Sequence, residues 1–197
     1  MTIEKGRRIM INSKKNIFIG GVARAGKSTI SEKICASSIY NHFPVDYIAT
    51  SFKRNFPQCG INDQVIIDNG SVNLSLFLST IIEKMNKTNE RFVIDSAHVM
   101  PKDIIQYLNK EKWNIFFIGY PNILPEVKFN NIRKNDGKLC WTRHFNDEDM
   151  LELTKGLIEK SKEIEKQCKK YNIRFIDTSM NFSEAIEHAV LEILNRG

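Results

Sequence analysis

The chain has 197 residues, of which 42% are hydrophobic, and a formal net charge of +6 at pH 7. This apolar content excludes an intrinsically disordered chain, and the length fits one α/β domain with at most one insertion. No run of about 18 apolar residues occurs, so no membrane-spanning helix is expected. The charge favours anionic ligands, although the basic residues are too scattered to indicate a dedicated nucleic-acid face.

The four cysteines, Cys35, Cys59, Cys140 and Cys168, include no C-x-x-C pair and show no metal-ligand spacing. This distribution predicts free thiols in a reducing compartment such as the cytoplasm. The N-terminus lacks the apolar segment of a signal peptide, so we expect a cytoplasmic protein. Its oligomeric state is left open between a monomer and a homodimer.

Residues 21–28 read Gly-Val-Ala-Arg-Ala-Gly-Lys-Ser and satisfy the phosphate-binding P-loop pattern G-x-x-x-x-G-K-[ST]. The short apolar stretch at residues 16–20 predicts a buried parallel strand, and residues 27–40 predict a helix. A strand, a glycine-containing loop and a helix in this order are the context that the motif requires.

The residue types of this loop suit a bound nucleotide. Glycines at 21 and 26 predict positive φ and close backbone approach, while the N–H groups and the helix dipole attract phosphate. Lys27 is expected to reach the β- and γ-phosphates of ATP, and the Ser28 hydroxyl to coordinate Mg²⁺. Arg24 either adds charge near the phosphates or is a solvated loop residue. The residues predicted to bind the nucleotide are Gly21, Arg24, Ala25, Gly26, Lys27, Ser28 and Thr29.

The remaining strands and helices are predicted to alternate. Strands are expected at residues 45–50, 91–95, 113–119 and 173–177, and helices at 72–87, 102–112, 147–171 and 183–194, with Asp147 as a cap of the third of these helices. With the strand at 16–20, this pattern predicts a single α/β domain over residues 1–197, whose five-stranded parallel sheet has helices on both faces.

Asp95 ends the predicted strand at residues 91–95. An apolar strand that ends in an acidic residue downstream of a P-loop is typical of a Walker-B position. Asp95 would there hold Mg²⁺ or accept a proton from an acceptor hydroxyl. The alternative is a helix cap or a turn aspartate.

Three further side chains are candidates for the substrate site. Lys53 and Arg54 follow the predicted strand at 45–50, and ligands bind at that edge of parallel sheets. The alternative for both is a solvated helix start. His98 follows the strand at 91–95 and is a weaker candidate, since a loop or core histidine is the ordinary reading.

Residues 125–149 form a polar, basic insert between a buried strand and the long helix. We interpret it as a mobile lid that brings Arg133 and Arg143 onto the transferring phosphate, so both are candidate catalytic residues. An ordinary surface hairpin would have a similar composition.

The order of elements, the P-loop at 21–28, Asp95, the Lys53–Arg54 pair and the insert together resemble the small P-loop kinases. This group includes nucleoside monophosphate kinases, shikimate kinase and gluconate kinase. The resemblance covers nearly the whole chain and implies a three-layer fold, a strand order of 2-3-1-4-5 and ATP- and Mg²⁺-dependent phosphoryl transfer.

Two departures leave the phosphoryl acceptor open. Adenylate kinases continue the third strand as Asp-Gly-Phe-Pro-Arg, whereas residues 95–99 here read Asp-Ser-Ala-His-Val. Shikimate kinases carry Asp-x-Asp after the second strand, and the predicted place here reads Thr50-Ser51-Phe52.

The leading hypothesis is therefore an ATP-dependent kinase for a small metabolite or a nucleotide. A regulatory GTPase is disfavoured, because residues 86–89 read Asn-Lys-Thr-Asn instead of Asn-Lys-x-Asp and no D-x-x-G switch begins at Asp95. A nucleic-acid-end kinase and a nucleotide-binding protein without turnover remain alternatives.

Overall fold

The computed structural model describes residues 15–64, 70–137 and 140–195. Within these residues five strands form one sheet: β1 (Asn16–Gly21), β2 (Tyr40–Pro44), β3 (Arg91–Ser96), β4 (Trp113–Gly119) and β5 (Arg174–Asp177). Their order is β2-β3-β1-β4-β5, and every neighbouring pair is parallel. The predicted sheet and the strand order implied by the resemblance are confirmed.

Seven α-helices connect and flank the strands: α1 (Lys27–Ser37), α2 (Asp46–Asn55), α3 (Gly70–Met85), α4 (Pro101–Ile104), α5 (Pro125–Lys134), α6 (Asp147–Tyr171) and α7 (Phe182–Asn195). Short 3₁₀ turns occur at Pro57–Cys59, Ile105–Tyr107 and Trp141–His144. Helices α1 and α7 pack together, and α3 and α6 both contact α4. In the described part of the chain, none of the helices has the length and apolar character needed to cross a membrane.

The sheet is buried at its centre. Strand β1 lies between β3 and β4, and Ile17, Phe18 and Ile19 are completely buried. Because both faces of a central parallel strand are covered, consecutive residues are apolar and the strand does not alternate. The loop that follows β1 therefore starts at the middle of the sheet's carboxyl edge.

The strand predicted at residues 45–50 is wrong. Strand β2 ends at Pro44, and α2 begins at Asp46. A proline is tolerated at the end of an edge strand such as β2. The prediction instead places Pro44 before a strand. Acidic Asp46 in the first turn, and Lys53 and Arg54 in the last, complement the dipole of α2. The two cations thus end a helix instead of following a strand.

Three helix boundaries also differ from the prediction. The helix expected at 27–40 ends at Ser37, and Tyr40 already begins β2. The helix expected at 102–112 ends at Ile104, where a 3₁₀ turn takes over. Asp147 does not cap α6, because the side chain of Asn146 accepts the hydrogen bond from the Asp149 N–H at 2.8 Å. Asn146 has the extended backbone that a capping residue needs, whereas Asp147 is already helical.

The predicted insert at 125–149 contains α5, the 3₁₀ turn Trp141–His144 and the first residues of α6, while residues 138–139 lie outside the described residues. Its described part is therefore helical and not a hairpin. Pro125 occupies the first turn of α5, where its missing N–H has no helical partner to lose.

Gly21 offers a test of how tightly the sheet fixes the loop after β1. Its φ is 134°, and a Cβ there would lie 2.0 Å from the backbone oxygen of Ile118 on β4. We expect Gly21→Ala to lower the free energy of unfolding by about 2–4 kcal/mol, measured by chemical denaturation. Gly137→Ala is the control, because a Cβ at Gly137 meets no described atom within 4 Å. Equal stability of the two variants would contradict this view of the loop.

Candidate functional site

The P-loop joins β1 to α1 in a strained conformation. Gly21 and Gly26 have φ of 134° and 98°, as predicted, and Arg24 also has a positive φ of 60°. A Cβ on Gly26 would lie 2.4 Å from the Ile186 side chain of α7. Both glycines are therefore required by packing within the protein, in addition to any close approach of a ligand.

Three successive carbonyl groups of the P-loop accept hydrogen bonds from side chains. The Lys27 Nζ donates to the Val22 oxygen at 2.8 Å, and the Tyr120 hydroxyl donates to the Ala23 oxygen at 2.7 Å. The Lys128 Nζ donates to the Arg24 oxygen at 2.9 Å. These bonds fix the direction of the loop's peptide groups, so that its carbonyl oxygens are occupied by the protein.

The N-terminus of α1 retains unpaired donors. The first N–H groups of a helix have no helical carbonyl to bond, and no side chain caps α1. Ser28 and Thr29 in this turn are exposed, whereas Ala25 is buried. The arrangement matches an anion site with a hydroxyl group beside it.

Lys27 is the buried cation of the P-loop, with 7% of its surface exposed. Burial lowers the pKa of its ammonium group, and the negative charges of Asp46 and Asp95 act in the opposite direction. Lys27 therefore lies close to two carboxylates on different strand ends, one at the end of β3 and one just after β2.

Asp95 occupies the position predicted for it, on β3 beside β1 and in register with Ile19. Only 3% of it is exposed, and its Oδ2 has no hydrogen-bond partner among the described residues. The His42 Nε2 on β2 lies 3.4 Å from this Oδ2 but forms no hydrogen bond with it. A buried carboxylate oxygen without a donor fits a role in holding a cation.

A closed metal cage is absent from the part of the chain that the structure describes. No group of three or more His, Cys, Asp or Glu side chains there is arranged to hold a metal ion. Mg²⁺ generally keeps several waters and binds through one or two protein oxygens together with substrate phosphates. Ser28 and Asp95 remain the predicted protein contributors.

Arg24 does not point along the P-loop. Its guanidinium lies 3.1 Å from the Asp136 carboxylate and donates to the Cys140 sulfur at 2.8 Å. Both partners belong to the segment between α5 and α6. Arg24, predicted to lie near the phosphates, thus anchors that segment on the P-loop.

The two arginines predicted as catalytic, Arg133 and Arg143, both lie in the insert at 125–149. Arg133 donates to the backbone oxygens of Thr142 and Phe145 at 3.0 and 2.8 Å, and pairs with Asp147 at 2.9 Å. These contacts are all within the predicted insert, so Arg133 ties its parts together. Arg143 is exposed on the 3₁₀ turn. Arg133 also lies 3.7 Å from the Asp136 carboxylate, which it shares with Arg24 of the P-loop. The catalytic role of both arginines stays a prediction.

The sequence does not distinguish Lys128 from the other basic residues of the insert. It is 5% exposed, and its Nζ lies 3.8 Å from the centre of the Tyr120 ring. Burial lowers its pKa to about 7, with the charges of Arg24 and Lys27 acting in the same direction. No local pattern distinguishes this lysine from its exposed neighbours, since its burial depends on α5 packing over the P-loop.

A cleft of about 590 Å³ lies among α2, the residues that follow β3 and the start of α6. Its lining combines carboxylates, one histidine, one lysine and apolar rings: Asp46, Thr50, Lys53, Asp63, Gln64, His98, Trp141, Phe145 and Leu153. Two predicted substrate residues, Lys53 and His98, are therefore in the cleft. Arg54 is exposed in the last turn of α2 and is not among the residues that line it.

Asp46 is the functional candidate that the sequence analysis missed. It lines the cleft, and its charge acts on Lys27 of the P-loop. The His98 Nε2 lies 3.0 Å from the Asp46 Oδ1. Burial raises the pKa of Asp46, but the hydrogen bond and charge of His98 and the charge of Lys27 outweigh it, so the pKa is lowered.

The correct end of β2 also corrects one departure noted above. The residues that follow the second strand are Val45 and Asp46, and not Thr50-Ser51-Phe52. One acidic residue therefore does stand at this place. It could have been found in the sequence if Pro44 had been taken as the end of a strand.

No family model and no curated protein sequence matches the chain. Among solved structures it resembles a shikimate kinase from Bacteroides thetaiotaomicron, with a TM-score of 0.58 at 16% identity over 91% of this chain and 96% of that one. A gluconokinase from Sinorhizobium meliloti gives a TM-score of 0.59 at 16% identity over 93% of both chains. A sugar kinase from Janibacter sp. gives 0.60 at 15% identity over 93% of this chain and 98% of that one.

The chain has the fold of the small P-loop kinases. In such open parallel sheets, ligands bind beyond the carboxyl ends of the strands. The P-loop follows β1, Asp46 follows β2 and Asp95 is the second-last residue of β3, so all three lie at that edge of this P-loop kinase fold.

The burial of Lys128 leads to a pH prediction. In the native state its pKa is about 7, whereas its ordinary value is 10.5, so between these pH values the unfolded chain binds a proton that the native protein has released. The free energy of unfolding of the wild type should therefore rise between about pH 7 and about pH 10. This rise should exceed that of Lys128→Met by an amount on the order of a few kcal/mol.

Urea unfolding of both proteins across this pH range measures the difference. The control is Lys33→Met, which removes an exposed lysine paired with Glu187 and should follow the wild-type curve. If the pH profiles of the wild type and Lys128→Met run parallel, Lys128 is not a buried amine of lowered pKa.

Proposed function

We propose that this protein is an ATP- and Mg²⁺-dependent phosphotransferase that acts on a hydroxyl group of a small molecule in the cleft. The observation that carries the proposal is the position of Asp46, which lines the cleft and also acts on the buried Lys27 of the P-loop. A carboxylate is thereby shared between a phosphate-binding element and a cavity large enough for a metabolite.

The P-loop supplies the nucleotide end of the site. Residues 21–29 would hold the phosphates through backbone N–H groups, and Lys27 would exchange its bond to the Val22 oxygen for phosphate oxygens. The Ser28 hydroxyl and Asp95 would hold Mg²⁺, which when bound neutralises charge on the phosphate oxygens. The unpartnered Oδ2 of Asp95 supports this assignment.

Asp46 supplies the acceptor end. Its lowered pKa keeps it ionised at neutral pH, so it can accept a hydrogen bond, and then the proton, from an acceptor hydroxyl. The acceptor oxygen forms a bond to the γ-phosphorus of ATP as the bond to the β–γ bridging oxygen breaks, and ADP leaves. His98 orients the carboxylate through its bond to the Asp46 Oδ1.

The segment between α5 and α6 completes the enclosure. Arg24 of the P-loop pairs with Asp136 of this segment, and Lys128 joins the preceding helix α5 to the P-loop. Trp141 and Phe145 of the segment line the cleft. We propose that these contacts position the cover over the reacting groups. The four free cysteines suit a reducing compartment, and we propose that the protein works in the cytoplasm.

Replacement of Lys27 tests the nucleotide end. Lys27→Met should lower the rate of ADP formation by at least about 10²-fold, because the developing charge on the phosphates loses its buried cation. The fold should survive, since the change removes a desolvated ammonium group. ADP release is followed in a coupled assay with ATP, Mg²⁺ and mixtures of sugars, amino sugars, nucleosides and hydroxy acids.

The matched control is Lys33→Met on the same helix, which should keep wild-type turnover. Thermal melting verifies that both variants are folded. A folded Lys27→Met protein with near-normal ADP formation would rule out this role for the P-loop.

Replacement of Asp46 tests the acceptor end. We expect Asp46→Asn to lower kcat by about 10²- to 10⁴-fold, because the amide cannot take the hydroxyl proton, while KM for ATP changes little. The enzyme-coupled assay with the most active acceptor measures both constants. A variant in which kcat is retained and KM for ATP rises would place Asp46 in nucleotide binding instead.

A further inference from the structure

The basic groups that line the cleft each lie against a carboxylate. The Lys53 Nζ lies 2.6 Å from the Asp63 Oδ1, and the His98 Nε2 lies 3.0 Å from the Asp46 Oδ1. Two carboxylates thus face one lysine and one histidine. Among the described residues that line the cleft, neither basic group lacks an acidic partner.

Arginine is absent from the described lining of the cleft. Carboxylates and phosphates in binding sites are normally held by guanidinium groups, which match them with two parallel hydrogen bonds. An acidic acceptor would here have to compete with Asp63 for Lys53 and would lie beside Asp46. The charge distribution therefore disfavours an anion in this cleft.

The opposite side of the cleft is aromatic. Trp141 and Phe145 are 39% and 37% exposed. Their rings pack edge to face, with the ring centroids 5.9 Å apart. Both line the cleft, next to Leu153. Exposed ring faces on a concave surface suit a flat or ring-shaped ligand, whose apolar face covers them.

We propose that the phosphoryl acceptor is a ring-bearing alcohol without negative charge. Its ring lies against Trp141 and Phe145, and its hydroxyl groups donate hydrogen bonds to Asp46 and Asp63. Lys53 acts as a specificity-determining residue through its pairing with Asp63, which leaves no unpaired lysine or arginine among the described residues that line the cleft. This inference rests on the proposed function and names the chemical class of its acceptor.

Matched acceptors that differ mainly in charge test the proposed chemical class of the acceptor. A hexose, the corresponding hexosamine and hexuronic acid form one series, and a nucleoside with its 5′-monophosphate forms another. We expect kcat/KM for the uncharged or cationic members to exceed that for the anionic members by at least about tenfold. The hexose and nucleoside series distinguish a sugar from a nucleoside as the source of the ring.

The Lys53–Asp63 ion pair allows a second test. Two variants should shift the preference for anionic over uncharged acceptors in opposite directions. Asp63→Asn frees Lys53 and should raise kcat/KM for the anionic member relative to the uncharged one by about three- to tenfold. Lys53→Met frees Asp63 and should shift the same ratio by a similar factor in the other direction. A purely structural role of the pair would move both variants in one direction.

The ring contact is tested by Trp141→Ala. We expect KM for the acceptor to rise by about tenfold or more while KM for ATP stays within about twofold. Phe56→Ala is the control, because Phe56 is an exposed aromatic residue that does not line the cleft. Equal effects of the two variants would argue against ring stacking.

The outcomes separate this inference from the proposed function. Turnover that depends on Lys27 but favours the acid or the monophosphate overturns the acceptor class alone. Failure of every uncharged and cationic compound to bind at millimolar concentration, measured by thermal shift, also contradicts the class. Absence of ATP-dependent phosphorylation of any compound, with no effect of Lys27→Met, contradicts the proposed function itself.

Discussion

The hydrogen bonds to three successive P-loop carbonyl groups are the constraint on which the rest of the site depends. Lys27, Tyr120 and Lys128 each occupy one of these oxygens, and the donors come from α1, from the end of β4 and from α5. A short loop with positive φ at two glycines would otherwise have several conformations of similar energy. Because elements distant in sequence donate hydrogen bonds to the loop, its shape is fixed by the packing of the whole carboxyl edge of the sheet.

Electrostatics links this loop to the cleft. Lys27 lies between the charges of Asp46 and Asp95, and Asp46 in turn is bound to His98. The charges of Lys27 and Asp46 act on each other, so a phosphate that binds Lys27 alters the field at Asp46. In the proposed reaction, the paired charges and aromatic rings of the cleft select the hydroxyl compound that meets that carboxylate. Fold and charge together favour phosphoryl transfer to an alcohol.

The sequence allowed the fold to be predicted, because the alternation of strands and helices is a local pattern. The nucleotide end of the site also depends on local patterns and stays a prediction. The P-loop is one continuous motif, and Asp95 directly ends an apolar strand. Asp46 was missed because its meaning depends on whether Pro44 ends or begins a strand, which pairing with β3 decides. The contacts of Arg24 with Asp136 and Cys140 join segments far apart in sequence, so no local pattern shows them.

The most direct test is amide chemical-shift mapping with a non-hydrolysable ATP analogue and Mg²⁺. The account predicts saturable shifts that are largest at the N–H groups of residues 21–29, since these donors bind phosphate, with smaller shifts around Asp46 and Asp95. Shifts that are absent, or that saturate only at surfaces remote from the P-loop, would contradict nucleotide binding at this site and with it the proposed phosphotransferase.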